Sequence, residues 1–161
     1  MIGNDIVDLA LAKKESNWQR KGFLDKIFTQ QEQLLITRAN SSEVMVWNLW
    51  TRKEAAYKIY NRETGIRGYF PLQFECHFEN EVLGTVICNG NMYFTQTDIS
   101  DEFMHTIAVA EKKYFMRIKN LDSDANICKM NGIPFIMDQL TEITKPVSIS
   151  HHGRFWRGIT L

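Results

Sequence analysis

Cysteine is scarce in this chain, and Cys76, Cys88 and Cys128 are odd in number with no C-x-x-C spacing. Neither a disulfide framework nor a zinc site is expected from them, and reduced thiols suit a cytoplasmic protein. An excess of one charge is also missing, since 19 Lys and Arg balance 19 Asp and Glu. Proteins that live on nucleic-acid phosphates carry a clear basic surplus, so no nucleic-acid partner is expected. No apolar run approaches the roughly 18 residues of a membrane span. The opening MIGNDIVDL holds two aspartates and no basic segment ahead of an apolar one, which does not read as a signal peptide. Repeats and low-complexity tracts are lacking as well. What is present is apolar bulk: ten Phe, five Tyr and four Trp in a chain that is 44% hydrophobic. That excludes disorder, and 161 residues suit one domain with an independent core.

Residues 2–9 read as a strand, with β-branched Ile6 and Val7 after Gly3-Asn4, small residues suited to a close backbone approach. The pattern over residues 15–27 predicts a helix with Trp18, Phe23, Leu24 and Ile27 on one side, weakened by Gly22. Thr29-Gln30-Gln31-Glu32 is a capping box that starts a helix to about Ala39. Residues 43–60 are the longest helical pattern, and a loop leads from Asn61 to Pro71. Segments 72–78, 82–88, 92–97 and 105–110 then read as strands, with Asn89-Gly90 as a hairpin signal that Asn91 would lengthen. Helices followed by an antiparallel meander predict an α+β fold with helices packed on the sheet. The polar stretch Lys119–Asn126 marks a boundary between a core module, 1–118, and a hairpin-like extension, 119–161.

Three constellations carry possible chemistry. On the long helix, Trp47, Trp50, Thr51, Glu54 and Lys58 fall within one face about 100° wide, while much of the remaining circumference is apolar. Glu54 and Lys58 are then either an i,i+4 surface pair or a site held inside an enclosed helix. Asp5 lies within a strand, where it is an edge residue facing water or an acid held for a metal. Alternation separates it from Asp8, so those two do not share one ion. Lone carboxylates from separate elements suit Mg2+, which keeps several waters and takes its other oxygens from phosphates. Ser148-Ile149-Ser150-His151-His152-Gly153 is either a strand end with a hydrogen-bonded histidine or a hydroxyl–imidazole cradle for phosphate.

Taken together and in order, Gly3-Asn4-Asp5, Trp50-Thr51-Arg52-Lys53-Glu54-Ala55-Ala56-Tyr57-Lys58 and Ser148-Ile149-Ser150-His151-His152-Gly153-Arg154 resemble the signature of the phosphopantetheinyl transferase superfamily. The resemblance implies transfer of the phosphopantetheine arm from coenzyme A to a serine of an acyl or peptidyl carrier protein. It implies that Asp5 and Glu54 hold Mg2+ and that Glu54, or a water it orients, takes the serine proton. By the same resemblance Lys58 reaches the phosphates, Lys53 either assists or simply pairs on the surface, and Ser150 and His151 bind the ribose-phosphate end of coenzyme A. A second acid two residues after Asp5 is replaced by Val7, as in the short holo-acyl-carrier-protein synthase class, whereas Trp50 looks like the long class. The family fold is an α+β module whose active site forms between two modules. The length suits one module plus an extension, which predicts a homo-oligomer, a trimer among the options, with Ser150 and His151 completing a site between subunits. Lys13, Lys14, Arg20, Lys21 and Lys26 on the first predicted helix are either a solvated face or a docking face for an acidic carrier protein. A catalytically silent relative that binds coenzyme A or nucleotide is the alternative from a different class, and a Mg2+-dependent phosphohydrolase is a weaker third.

Overall fold

The computed structural model describes residues 1–137 and 143–161. Strand β1 (Ile2–Asp8) leads into helices α1 (Leu9–Glu15), α2 (Phe23–Ile27), α3 (Gln30–Arg38) and the long α4 (Ser42–Thr64). Strands β2 (Glu75–Phe78), β3 (Leu83–Cys88), β4 (Asn91–Ile99) and β5 (Phe103–Val109) follow. The chain closes with β6 (Lys119–Leu121), β7 (Cys128–Met130), β8 (Ile133–Met137), β9 (Thr144–His152) and β10 (Phe155–Thr160). Two antiparallel five-stranded sheets result, ordered β1-β5-β4-β3-β2 and β6-β10-β9-β8-β7. This is the α+β class expected from the sequence.

The helix predicted over residues 15–27 does not form. Asp8 instead accepts from the backbone N–H groups of Ala10 and Leu11 and starts α1 earlier, which then ends at Ser16. Gly22 sits in the left-handed region at φ 78°, so α2 is a separate short helix. The five basic residues of that segment are accordingly divided between the end of α1, the following loop and α2. The capping box at Thr29 and Glu32 forms as predicted. Helix α4 runs one turn beyond Tyr60 to a left-handed Gly65. Asn89 and Gly90 make a two-residue turn with Cys88 opposite Asn91, so Asn91 belongs to the strand rather than to the turn.

Helix α4 lies across the first sheet, with Val46, Leu49, Ala55, Ala56 and Ile59 packed among Val86, Tyr93, Met104 and Ala108. The contact with β1 is closest at Gly3, where any Cβ would overlap the carbonyl oxygen of Ala55. A side chain there would push the strand and helix apart, so the glycine sets the distance across which Asp5 faces α4.

The second sheet meets β1 by an unusual route. The outward N–H groups of Asn4, Ile6 and Asp8 donate to Ser148 Oγ, Ser150 Oγ and His152 Nδ1 at 2.9, 3.0 and 2.9 Å. Alternate side chains of β9 thus satisfy the free edge of β1, where a backbone ladder would otherwise be needed. Ile159 of β10 shares a buried cluster with Ile2 and Val109 of the first sheet. At the far end, Arg154 grips Asp8 through its backbone N–H and guanidinium at 2.9–3.1 Å. Gly153 permits this with φ 53°, and a Cβ there would meet Asp8 Oδ2 at 2.5 Å. The Gly-Arg that ends the serine–histidine motif is therefore a clasp on β1.

Candidate active site

Asp5 on β1 and Glu54 and Lys58 on α4 converge where the helix crosses the strand. Lys58 Nζ donates to the carbonyls of Asn4 at 2.6 Å and Ile149 at 3.2 Å, and lies 3.4 Å from Asp5 Oδ1. One ammonium therefore ties together β1, α4 and β9. Ser150 Oγ donates to the same Asp5 oxygen at 2.9 Å while accepting from Ile6 N–H.

Electrostatics at this crossing oppose free carboxylates. Burial pushes the Asp5 pKa upward, and Lys58 and Ser150 pull against it. Glu54 is pushed up to about 7, by burial first and then by the charge on Asp5, with Lys58 a partial offset. Glu54 makes no hydrogen bond or ion pair among the described residues, so its oxygens remain available. Two hard oxygen donors that resist ionisation together are what a divalent cation relieves. Among the described residues no group of three His, Cys, Asp or Glu could hold an ion unaided. The donor set fits Mg2+, which needs one or two carboxylates and completes its shell with water and phosphate oxygens. Asp8, on the opposite face of β1, is tied up in the α1 cap and the Arg154 clasp.

The sequence-predicted residues do not all meet. Lys53 is not at the site: one position before Glu54, it points about 100° away around the helix. Its ammonium is fully buried against Glu32 at 2.7 Å and the carbonyls of Pro71 and Phe74 at 2.9 and 2.6 Å. The cofactor role drawn from the resemblance is therefore corrected to a structural one. Ser150 reaches Asp5 within its own chain, so this contact needs no neighbouring subunit. Its hydroxyl faces β1, whereas His151, next along the strand, lines a cavity of about 320 Å3 together with Lys58 and Arg62.

Other residues at the site escaped sequence reasoning. Tyr69 packs against Trp50 and Tyr57 with ring centroids 6.0 and 4.9 Å away, and its buried hydroxyl has no partner among the described residues. Burial and then Glu54 push its pKa well above the usual phenol range, so it stays protonated. Asn4, wholly buried, places its Nδ2 at 3.3 Å from His105 Nε2 and 3.1 Å from the Arg157 carbonyl, while its Oδ1 has no partner among the described residues. A loop tyrosine and a strand asparagine give no periodic signal. Only the Gly3-Asn4-Asp5 context hinted at the second.

The family model described as the 4'-phosphopantetheinyl transferase superfamily matches residues 1–119. No curated protein matches the chain significantly in sequence. Holo-[acyl-carrier-protein] synthase of Helicobacter pylori, solved with coenzyme A, is 18% identical with a TM-score of 0.53, over 68% of this chain and 98% of that one. The Neisseria meningitidis enzyme is 22% identical, with a TM-score of 0.53 over 69% and 97%. That of Bacillus anthracis strain Ames, solved with CoA (3',5'-ADP), is 20% identical, with a TM-score of 0.51 over 66% and 91%. These structures share the fold, and they cover about two-thirds of this chain, leaving the remainder as its own addition. Because the family model spans about three quarters of the 161 residues and includes both site carboxylates, the chain belongs to the 4'-phosphopantetheinyl transferase superfamily.

Proposed function

We propose that this protein is a Mg2+-dependent phosphopantetheinyl transferase of the holo-acyl-carrier-protein synthase type, acting on an apo acyl or peptidyl carrier protein in the cytoplasm. The observation that carries the reading is the meeting of Asp5 and Glu54, two carboxylates from separate elements, beside a cavity lined by Lys58, Arg62 and His151 and, among the described residues, by no acid. That combination suits a polyphosphate ligand whose reacting end lies at the carboxylates.

In this reading Asp5 and Glu54 would hold Mg2+, which would supply polarisation of the phosphorus under attack and neutralisation of charge on the leaving group. Lys58 is anchored on two carbonyls, and its charge faces the same phosphates. Glu54, directly or through a water, takes the proton from the carrier serine. The serine Oγ–P bond forms as the bond to the pyrophosphate bridging oxygen breaks, and 3',5'-ADP departs. Ser150 acts as a positioning residue, holding one Asp5 oxygen so that the carboxylate has a single orientation. His151 faces the ribose-phosphate end of coenzyme A from the cavity wall. A homo-oligomer remains part of the proposal, although the Asp5–Ser150 pairing does not require one.

The test is incubation with coenzyme A, Mg2+ and an apo carrier protein, followed by intact-mass measurement. One added phosphopantetheine arm per carrier, with 3',5'-ADP released, is the expected result. Coenzyme A bound tightly without transfer would instead select a silent, ligand-binding relative.

A further inference from the structure

Beyond the carboxylates, a groove runs between the C-terminal half of α4 and the β7–β8 hairpin. The cavity of about 320 Å3 at Lys58 is walled on its far side by Lys129, Ile133 and Pro134. A second cavity of about 440 Å3 continues it past Arg62 and Arg67 to Gly132. Lys58, Arg62, Arg67, Lys129 and His151 line this groove, and among the described residues no carboxylate does. In a chain of zero net charge that segregation is a property of the site. Lys58 leans on Asp5, but Arg62, Arg67 and Lys129 form no ion pair among the described residues.

The hairpin is held in place. Arg67 Nη2 donates to the Asn131 carbonyl at the hairpin tip at 3.2 Å, and Tyr57 Oη donates to the Arg67 carbonyl at 2.6 Å. Asn131 and Gly132 form a tight two-residue turn at φ 53° and 80°. The hairpin lies wholly outside residues 1–119, the region that the superfamily model matches. A ligand with its reacting phosphate at Asp5 and Glu54 would pass Lys58 and place its remaining phosphates against Arg62 and Lys129. Ile133 and Pro134 would then give its sugar or base an apolar wall.

We propose that the β7–β8 hairpin is a clamp for the nucleotide end of the donor. Lys129 and Arg62 hold the phosphates of an adenosine 3',5'-bisphosphate group, so that one chain completes its own nucleotide site. This rests on coenzyme A being the donor. Cavities of about 320 and 440 Å3 suit a small organic phosphate better than the acidic surface of a carrier protein, and charge-assisted bonds from planar or mobile cations are the recognition that such phosphates use.

The test is calorimetric titration of the full chain with 3',5'-ADP, coenzyme A and 4'-phosphopantetheine, in EDTA at fixed ionic strength. The variants are K129A, K129E and K129R. Lys129 is exposed and has no protein partner among the described residues, so thermal midpoints are expected to match the unsubstituted chain. Affinity for 3',5'-ADP and coenzyme A should fall at least about tenfold in K129A, further in K129E, and return in K129R. Phosphopantetheine affinity should not move. Unchanged 3',5'-ADP affinity in K129E overturns the clamp, as does an effect confined to the KM for carrier protein. If Lys129-dependent nucleotide binding is found without any transfer, the transferase reading fails, and the hairpin is a nucleotide clamp without a donor role. If transfer proceeds with Lys129-independent binding, the clamp alone fails. Binding of neither nucleotide nor coenzyme A by the unsubstituted chain overturns both.

Discussion

At the scale of single residues, neighbours on α4 do opposite work. Glu54 is held to about 7 against an ordinary value of 4.5, so the folded chain keeps a proton that the unfolded chain has lost. Stability contributed by this group is therefore full below about pH 4.5 and lost as pH rises to about 7, by about 3 kcal/mol. In EDTA, Glu54→Gln should match the unsubstituted protein near pH 4.5 and exceed it at pH 8 in urea unfolding. The same variant should lower transfer at least about 100-fold. A Glu54→Gln protein no more stable than the unsubstituted one at pH 8 would contradict the burial argument. Lys53 belongs to the core, and removing one partner of a buried pair leaves an uncompensated charge. Lys53→Met should cost about 3–5 kcal/mol while leaving the KM for coenzyme A unchanged at a permissive temperature. His105 behaves in the reverse sense to Glu54. Burial first, then Arg157 and Lys58, hold it near 4 instead of 6.5. Its contribution is intact above about pH 6.5 and is lost as pH falls toward 4, again by about 3 kcal/mol. The acid limb of the stability curve should flatten in His105→Gln.

At the scale of elements, the decisive contacts are β1 against α4 on one side and against β9 on the other. Gly3→Ala would force the helix off the strand, and overpacking of this kind costs about 1–3 kcal/mol; denaturant titration measures it directly. Ser150→Ala leaves the Ile6 N–H unpaired and frees the Asp5 carboxylate. It should weaken Mg2+ binding by about 10–100-fold, with a smaller loss in nucleotide affinity measured without metal. A nucleotide-specific loss instead would return Ser150 to a ligand-binding role. Much of this scale was legible beforehand. The capping box at Thr29, the period of α4 and the Asn89-Gly90 turn are local signals, because each is written in residues a few positions apart. Gly22 was legible only as a weakness in a longer helix, and the cap at Asp8 was not legible, since Asp8 reads equally well as the last residue of a strand. The pairing of β1 with β9 left no trace either. It runs through serine and histidine side chains across 144 residues, and no propensity describes such a contact.

At the scale of the whole molecule, the second sheet completes the first. Its strand β10 shares the Ile2–Val109–Ile159 cluster, and β9 satisfies the free edge of β1. A chain ending at residue 118 would expose that edge and lose the Asp5–Ser150 contact. It should show no cooperative thermal transition in circular dichroism; a sharp transition would show that the core stands without its extension. The sequence alone determined the α+β class, the long helix and the residue types in each motif, because periodicity and turn chemistry act over short separations. It could not determine which face of α4 met which neighbour. That choice sent Lys53 into the core, Lys58 to the strand crossing and Ser150 onto Asp5, and it rests on packing between elements far apart in the chain.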